Sequence, residues 1–303
     1  MKSFDEILKS VKGKPKNVIA VAMAEDEDTL LAVAMAHQEK LADAVLVGDR
    51  KKIIEQCQKV GLDEKEFDII HTEGEQQCVV RSIQIVREHL ADTLMKGKCS
   101  TATLLRGVLD KEQGLRAGKL LSHLAAFELK TYHKLLFMSD AAMNISPDLE
   151  TKIAITENAV DSLVKMGVLQ PKVAVVAAVE KVNYPSMPAT IDAAILSQMA
   201  RRGQVSTAIV DGPLSLDNAI SKKSCEIKNI ESPVGGDADL LLMPNIEAAN
   251  IFYKTLAYLG QAKSAGIIIG ARVPVILPSR ADSEETKYLS LALGMITSVR
   301  TLE

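Results

Sequence analysis

The amino-acid sequence predicts an α/β protein with mostly parallel strands. Short aliphatic runs alternate with longer amphipathic segments along nearly the whole chain, the pattern of stacked strand and helix layers. Apolar residues make up 47% and aromatics only 3%, so the core is built of Ala, Val, Ile and Leu, which suits parallel sheets covered by helices. The length of 303 residues implies two domains at roughly 100–200 residues each.

The elements follow in order. Asn17–Ala24 (NVIAVAMA) is an apolar run expected as a strand, and Asp26–Leu41 has helical periodicity. Ala44–Val47 is a second strand, closed by Gly48; Lys51–Val60 reads as a helix and Phe67–His71 as a strand. Gln76–Leu94 is a long amphipathic helix, with Thr93–Lys96 opening another strand. Gly97 breaks the chain before the short helix Ser100–Leu109. Leu120–Leu129 and Lys134–Met138 read as strands, Asp148–Met166 as a helix. Lys172–Val179 is a buried strand, Ala189–Arg202 a helix, Thr207–Val210 a strand and Leu216–Ile220 a helix start. Asp239–Met243 is a strand before the helix Glu247–Gln261. Gly266–Ile269 and Val273–Leu277 are strands, and Asp282–Val299 is the closing helix.

Composition excludes several classes. The formal charge of −3 gives no general attraction to nucleic acid or acidic membranes, so an anionic ligand needs a local site. The apolar stretches fall short of the roughly 18 residues of a membrane span. The opening MKSFDEILKS is charged and amphipathic, without a signal-peptide core, so a reducing, cytoplasmic location is expected. The four cysteines, 57, 78, 99 and 225, form no C-x-x-C, so neither a disulfide framework nor a structural zinc site is expected. The five histidines never occur as H-x-x-x-H. The chain lacks G-x-G-x-x-G, G-x-x-x-x-G-K-[ST] and G-x-S-x-G, hence any cofactor or nucleophile-elbow signature.

Ligands of open α/β sheets bind beyond the carboxyl ends of strands. The residues expected there are Asp140 and Asn144; Asp211 with Gly212 and Pro213; Asn245, Glu247 and Asn250; Ser279, Arg280 and Asp282; and Ser100, Thr101 and Arg106. Ser, Asp and Asn are common at such positions as caps and turn formers, whereas capping does not call for Arg106 or Arg280. Gly97–Arg106 (GKCSTATLLR) leads a glycine turn into a helix whose first turn offers hydroxyls and free N–H groups, a generic anion site. Arg106 can add a bidentate clamp on phosphate. Ser279 and Asp282 also resemble a capping box. Cys99, beside Lys98, reads as a buried core thiol rather than an activated one.

These segments resemble the phosphotransacylases, the phosphate acetyl- and butyryltransferases. STATLLR (100–106), DAAMN (140–144), DGPL (211–214), DLLLMPNIEAANIFYK (239–254) and SRADS (279–283) match the family's blocks in order. Leu105–His123 and Asp140–Ile145 bring the likeness closer to the butyryltransferases. The resemblance implies a two-domain α/β/α fold of the isocitrate/isopropylmalate dehydrogenase-like kind with a cleft between domains. Residues 1–120 with 268–303 would form one discontinuous domain and 121–267 the inserted one. It also implies homodimers or higher homo-oligomers, and reversible acyl transfer between CoA and phosphate, both substrates, with no metal or other cofactor.

On this resemblance Arg106, Ser100 and Thr101 bind phosphate. Arg280 stabilises developing charge, Ser279 donates to the carbonyl oxygen or leaving sulfur, and Asp282 is the base for the thiol. Asp140, Asn144, Asp211, Asn245, Glu247 and Asn250 complete the substrate-binding set. The chain departs from the acetyltransferases at Thr286, where they carry a catalytic aspartate. A second arginine of their site has only Arg87 and Arg116 as stand-ins. A nucleotide-dependent dehydrogenase would need paired metal-binding aspartates on one helix, absent here. A non-catalytic acyl-CoA-sensing domain is disfavoured because Arg106, Ser279 and Arg280 are all retained.

Overall fold

The computed structural model describes residues 1–12, 16–205, 207–279 and 281–298. The chain divides into two compact units: Phe4–Lys119 with Ala265–Glu303, and Leu120–Ser264 with Met1–Ser3. We call them the terminal and the middle unit.

The terminal unit begins with α1 (Phe4–Lys12), β1 (Asn17–Ala22), α2 (Glu27–Gln38), β2 (Ala42–Gly48), α3 (Arg50–Lys59) and β3 (Asp68–His71). It continues with α4 (Gly74–Arg87), β4 (Thr93–Lys96) and α5 (Thr101–Val108). The middle unit holds β5 (Ser122–Glu128), β6 (Leu136–Ser139), α6 (Leu149–Lys165), β7 (Lys172–Val176), α7 (Pro188–Arg201) and β8 (Ile209–Leu214). It is completed by α8 (Leu216–Ile220), α9 (Lys222–Lys228), β9 (Leu240–Leu242) and α10 (Ile246–Lys254), which runs on into a π-helical turn, Thr255–Leu259. The chain then returns through β10 (Lys263–Ile269), β11 (Val275–Ile276) and α11 (Glu284–Thr297).

In the terminal unit the strand order is β3-β2-β1-β4-β11-β10. All its pairs are parallel except β10 with β11, which share a short loop. The middle unit is ordered β5-β6-β9-β7-β8, parallel except for β5 with β6. The α/β class and its mostly parallel strands thus stand. The interior is aliphatic: Ile19, Val21, Leu46 and Leu94 are buried in one unit and Ala125, Leu136, Ala174 and Leu241 in the other. None of the described helices is long and apolar enough to cross a membrane.

Some elements differ from expectation for physical reasons. The N-terminal segment is the helix α1, anchored by buried Phe4, Ile7 and Val11 on one face. Helix α4 stops at Arg87, because His89 takes a left-handed φ of 57° and the chain must turn to pair Thr93 with Ile19. Asp211–Leu214 lies inside β8 rather than beyond its end. A register shift against β7 between Ala174 and Val176 gives β8 one extra residue, a bulge that accommodates Gly212-Pro213. The closing helix starts at Glu284 with Ser283 as its N-cap, not at Asp282.

Candidate active site

The strand order of the terminal unit reverses between β1 and β4, and such a reversal opens a crevice at the carboxyl ends of the strands. Here the turns after β1 and β4 are laced together. Gly97 N–H donates to the Ala22 carbonyl at 2.9 Å, and Lys98 N–H to that of Met23 at 2.8 Å. A Cβ at position 97 would fall 2.3 Å from the Met23 oxygen, so this approach needs glycine. Lys96, 6% exposed, points its ammonium at the Gly97 and Cys99 carbonyls, 3.1 and 3.4 Å away. The turn feeding α5 is thereby held on both sides.

Helix α5 forms because Ser100 caps it: its hydroxyl accepts from Thr103 N–H at 3.1 Å. Leu104 and Val108 bury one face. Arg106 lies on the exposed side and has no polar partner among the described residues. Thr101 is also exposed. Sequence reasoning missed Glu75, in the first turn of α4. Its carboxylate accepts the Ser100 N–H at 2.6 Å. The Ser100 hydroxyl, this N–H and the Thr103 hydroxyl hold Glu75 below the usual carboxylate range, outweighing the small effect of burial. Cys99 is 2% exposed and burial pushes its thiol up to about 11 despite nearby Lys96, so it is no nucleophile at neutral pH.

Strand β11 lies parallel to β4, with Ile276 opposite Met95, which puts the turn after β11 on the same edge. In that turn Ser279 N–H donates to Asp282 Oδ2 at 2.7 Å, and the Ser279 hydroxyl accepts from Ala281 N–H at 3.4 Å. Ser279 is exposed and caps no helix. Thr286 sits in the first turn of α11, its N–H bonded to Ser283 Oγ at 3.2 Å. Arg280 lies outside the described residues. Of the two stand-in arginines, Arg87 donates to Gln113 Oε1 at 2.6 Å, and Arg116 accepts a bond from Arg272 Nε through its carbonyl.

The middle unit gathers its own set at the carboxyl ends of β6 and β9. Asp140, 4% exposed, accepts from Ala142 and Met143 N–H at 2.8 and 2.9 Å and from Asn144 Nδ2 at 2.6 Å. Asn245 caps α10 by accepting from Ala248 N–H at 2.9 Å. Asn250 donates to the Ala141 carbonyl at 3.2 Å, and Glu247 is exposed. His123, near Asp140, escaped the sequence reading: burial lowers its pKa against the opposing pull of Asp140. Its Nδ1 has no hydrogen-bond partner among the described residues. Asp211 is not part of this group. It lies opposite Ala174 within β8, with Arg201 3.8 Å away, so the strand-end argument for it fails.

The family described as "Phosphate acetyl/butaryl transferase" matches residues 3–82 and 75–295. The chain is 45% identical over 298 residues to a phosphate butyryltransferase of Clostridium acetobutylicum, covering 98% of this chain and 99% of that one. It is 43% identical to a phosphate acetyltransferase of Thermotoga maritima, covering 97% and 99%. Among solved structures, a branched-chain phosphotransacylase from Enterococcus faecalis superposes with a TM-score of 0.83 at 33% identity, covering 93% of this chain and 99% of that one.

Proposed function

The chain belongs to the phosphate acetyl/butyryltransferase family, and from that premise we infer that it is a phosphate butyryltransferase, an acyltransferase that interconverts butyryl-CoA plus phosphate and butyryl phosphate plus CoA. The observation that carries this reading is the near full-length likeness to proteins named phosphate butyryltransferase. The terminal-unit edge that collects Ser100, Thr101, Arg106, Ser279 and Asp282 supports it.

In this reading phosphate sits at the N-terminus of α5, where free N–H groups and the helix dipole favour an anion. Thr101 supplies a short-range donor, Ser100 caps the helix start beside it, and Arg106, held by no other side chain among the described residues, supplies the planar fork that suits a phosphate. A phosphate oxygen attacks the thioester carbonyl. The tetrahedral intermediate places negative charge on the former carbonyl oxygen, and donors preorganised toward that charge lower the barrier. We assign this to Ser279 and Arg280. Collapse breaks the C–S bond, and the proton brought by phosphate ends on the CoA sulfur. A thiol with pKa of about 8.5 is mostly protonated at neutral pH, so the reverse direction needs a base. Asp282 is the assigned base, tethered through the Ser279 N–H. Asp140, Asn144, Asn245, Glu247 and Asn250 are assigned to substrate binding from the middle unit. CoA and phosphate are substrates and no further cofactor is invoked. A cytoplasmic homodimer or higher homo-oligomer belongs to the same proposal.

The test is release of CoA thiol from butyryl-CoA, without added metal or nicotinamide cofactor. Release is expected only with phosphate or arsenate; release without either makes the protein a thioesterase instead. The second reading, phosphate acetyltransferase, is favoured by the 43% identical Thermotoga maritima relative. An aliphatic pocket gains about 0.8 kcal/mol per buried methylene. The two additional methylenes of butyryl-CoA then give it on the order of tenfold in kcat/KM over acetyl-CoA. Equal or better use of acetyl-CoA selects the second reading.

A further inference from the structure

The donors at the start of α5 are not all available to an incoming anion. Glu75 already takes the Ser100 N–H at 2.6 Å, and the Thr103 N–H is taken by the Ser100 hydroxyl at 3.1 Å. Ser100 and Thr103 are also tied to each other, hydroxyl to hydroxyl, at 2.9 Å. A phosphate bound by Thr101 and Arg106 at this helix start therefore meets a carboxylate as part of its surroundings. Glu75 is half-buried, and Ser100 beside it is half-buried too, so water screens the contact only partly.

An anion and a carboxylate side by side repel unless a proton lies between them. At neutral pH inorganic phosphate and arsenate still carry a proton; sulfate carries none. We propose that Glu75 is the specificity-determining residue of the phosphate site: its carboxylate accepts a hydrogen bond from the P–OH of the bound phosphate and so rejects anions of the same shape that have no proton to donate. The proposal rests on the reading of Ser100–Arg106 as the phosphate site. It adds a chemical criterion that Arg106, a donor only, cannot supply, because a guanidinium binds sulfate and phosphate alike.

Glu75→Gln keeps the shape and replaces the obligate acceptor by a group that can turn its NH2 toward the anion. Glu75→Asp keeps the acceptor. In butyryl-CoA phosphorolysis by the full chain, sulfate is used as a competitive inhibitor against phosphate. The ratio of the sulfate inhibition constant to the phosphate KM is the readout. It is expected to fall by about tenfold or more in Glu75→Gln, the weight of one charge-assisted hydrogen bond, and to stay closer to wild type in Glu75→Asp. A role of Glu75 in merely holding the Ser100 turn would change the KM for phosphate and the inhibition by sulfate together, leaving the ratio unmoved, and that outcome overturns the proposal. Loss of phosphate-dependent turnover in the wild-type protein would instead overturn the proposed function. The anion criterion is then read from thermal stabilisation by phosphate and by sulfate alone: a preference for phosphate that disappears in Glu75→Gln supports it, and equal stabilisation by both anions in the wild type removes it.

Discussion

The two ends of the parallel strands treat charge in opposite ways. At the amino ends of β6, β7 and β9, Asp237 and Asp239 meet Lys134 and Lys172 in a closed network. Lys134 Nζ is 3.0 Å from Asp237 and 2.6 Å from Asp239, and Lys172 Nζ is 2.6 Å from Asp237. His133 adds a contact to Asp237 at 2.8 Å. At the carboxyl ends of β4 and β11, Arg106 and Thr101 are exposed, with Arg106 held by no other side chain among the described residues. Charges that serve stability are saturated by their neighbours, since an unmatched buried charge costs several kcal/mol. The Arg106 charge is instead left for a ligand to saturate, on a backbone held firm by Gly97 and Lys96.

Substitutions at the two ends should therefore fail differently. The largest effect is expected at the turn after β11. Ser279→Ala should lower kcat by roughly 10²-fold or more, as for loss of one donor to a developing oxyanion, with little change in Tm because Ser279 caps no helix. Arg280→Ala should lower it further. Normal turnover by Ser279→Ala, measured by CoA release, would make this turn merely structural.

Asp237→Asn is the converse case. It should cost about 2–3 kcal/mol by urea unfolding, since it leaves Lys172 without its carboxylate and Lys134 with Asp239 alone, while leaving the phosphate KM of the folded protein unchanged. Burial alone would raise the Asp237 pKa, yet hydrogen bonds from Lys172, Lys134 and His133 hold it well below the usual carboxylate range. The unfolded chain thus takes up this proton first. The stabilisation is complete above pH of about 3.9, the unfolded value, and is lost as the pH falls from there through the folded value. Asp237→Asn should accordingly narrow its stability gap to wild type only in strong acid, and a gap that closes near neutral pH would contradict the assignment.

Arg106→Lys keeps the charge and loses the fork. The phosphate KM should rise by about tenfold, one charge-assisted contact, with Tm unmoved; a fall in Tm with an unchanged KM would place Arg106 among the structural charges. The smallest effect concerns Asp282→Asn. Because the Asp282 carboxylate also receives the Ser279 N–H, the amide should keep part of the turn. Activity in the CoA-consuming direction should drop severalfold near neutral pH and recover toward pH of about 8.5, where the thiol ionises unaided. A loss that is the same at every pH would remove Asp282 as base.

Most of the fold was legible because aliphatic runs and amphipathic periods mark its buried faces. What escaped did so for local reasons. Helix α1 is short and rich in charge, and only the i, i+3, i+7 set Phe4, Ile7 and Val11 betrays it. Gly212-Pro213 reads as a turn, and only a bulge against β7 lets it remain a strand. At the site, Ser100 and Arg106 were legible from a glycine turn before a helix. Glu75 was not, because an acidic residue in a helical first turn ordinarily complements the dipole. Its proximity to Ser100 exists only once α4 and α5 are packed together. His123 looked like any strand residue until β5 paired antiparallel with β6 beside Asp140.

The terminal unit is assembled from two stretches of chain separated by the middle one, and this gives it a schedule. On the ribosome β4 emerges long before its neighbour β11. At translation rates of 5–20 residues per second the wait is roughly 10–35 s. Throughout it, the outer edge of β4 has no strand to bond. The middle unit, nearly continuous in sequence, can fold within that interval, whereas the strand carrying the Ser100 turn remains an open edge until β11 is made. The turn that holds phosphate in the proposed reaction is in this way the last part of its sheet to be secured during synthesis, and the one a truncated chain would expose to aggregation.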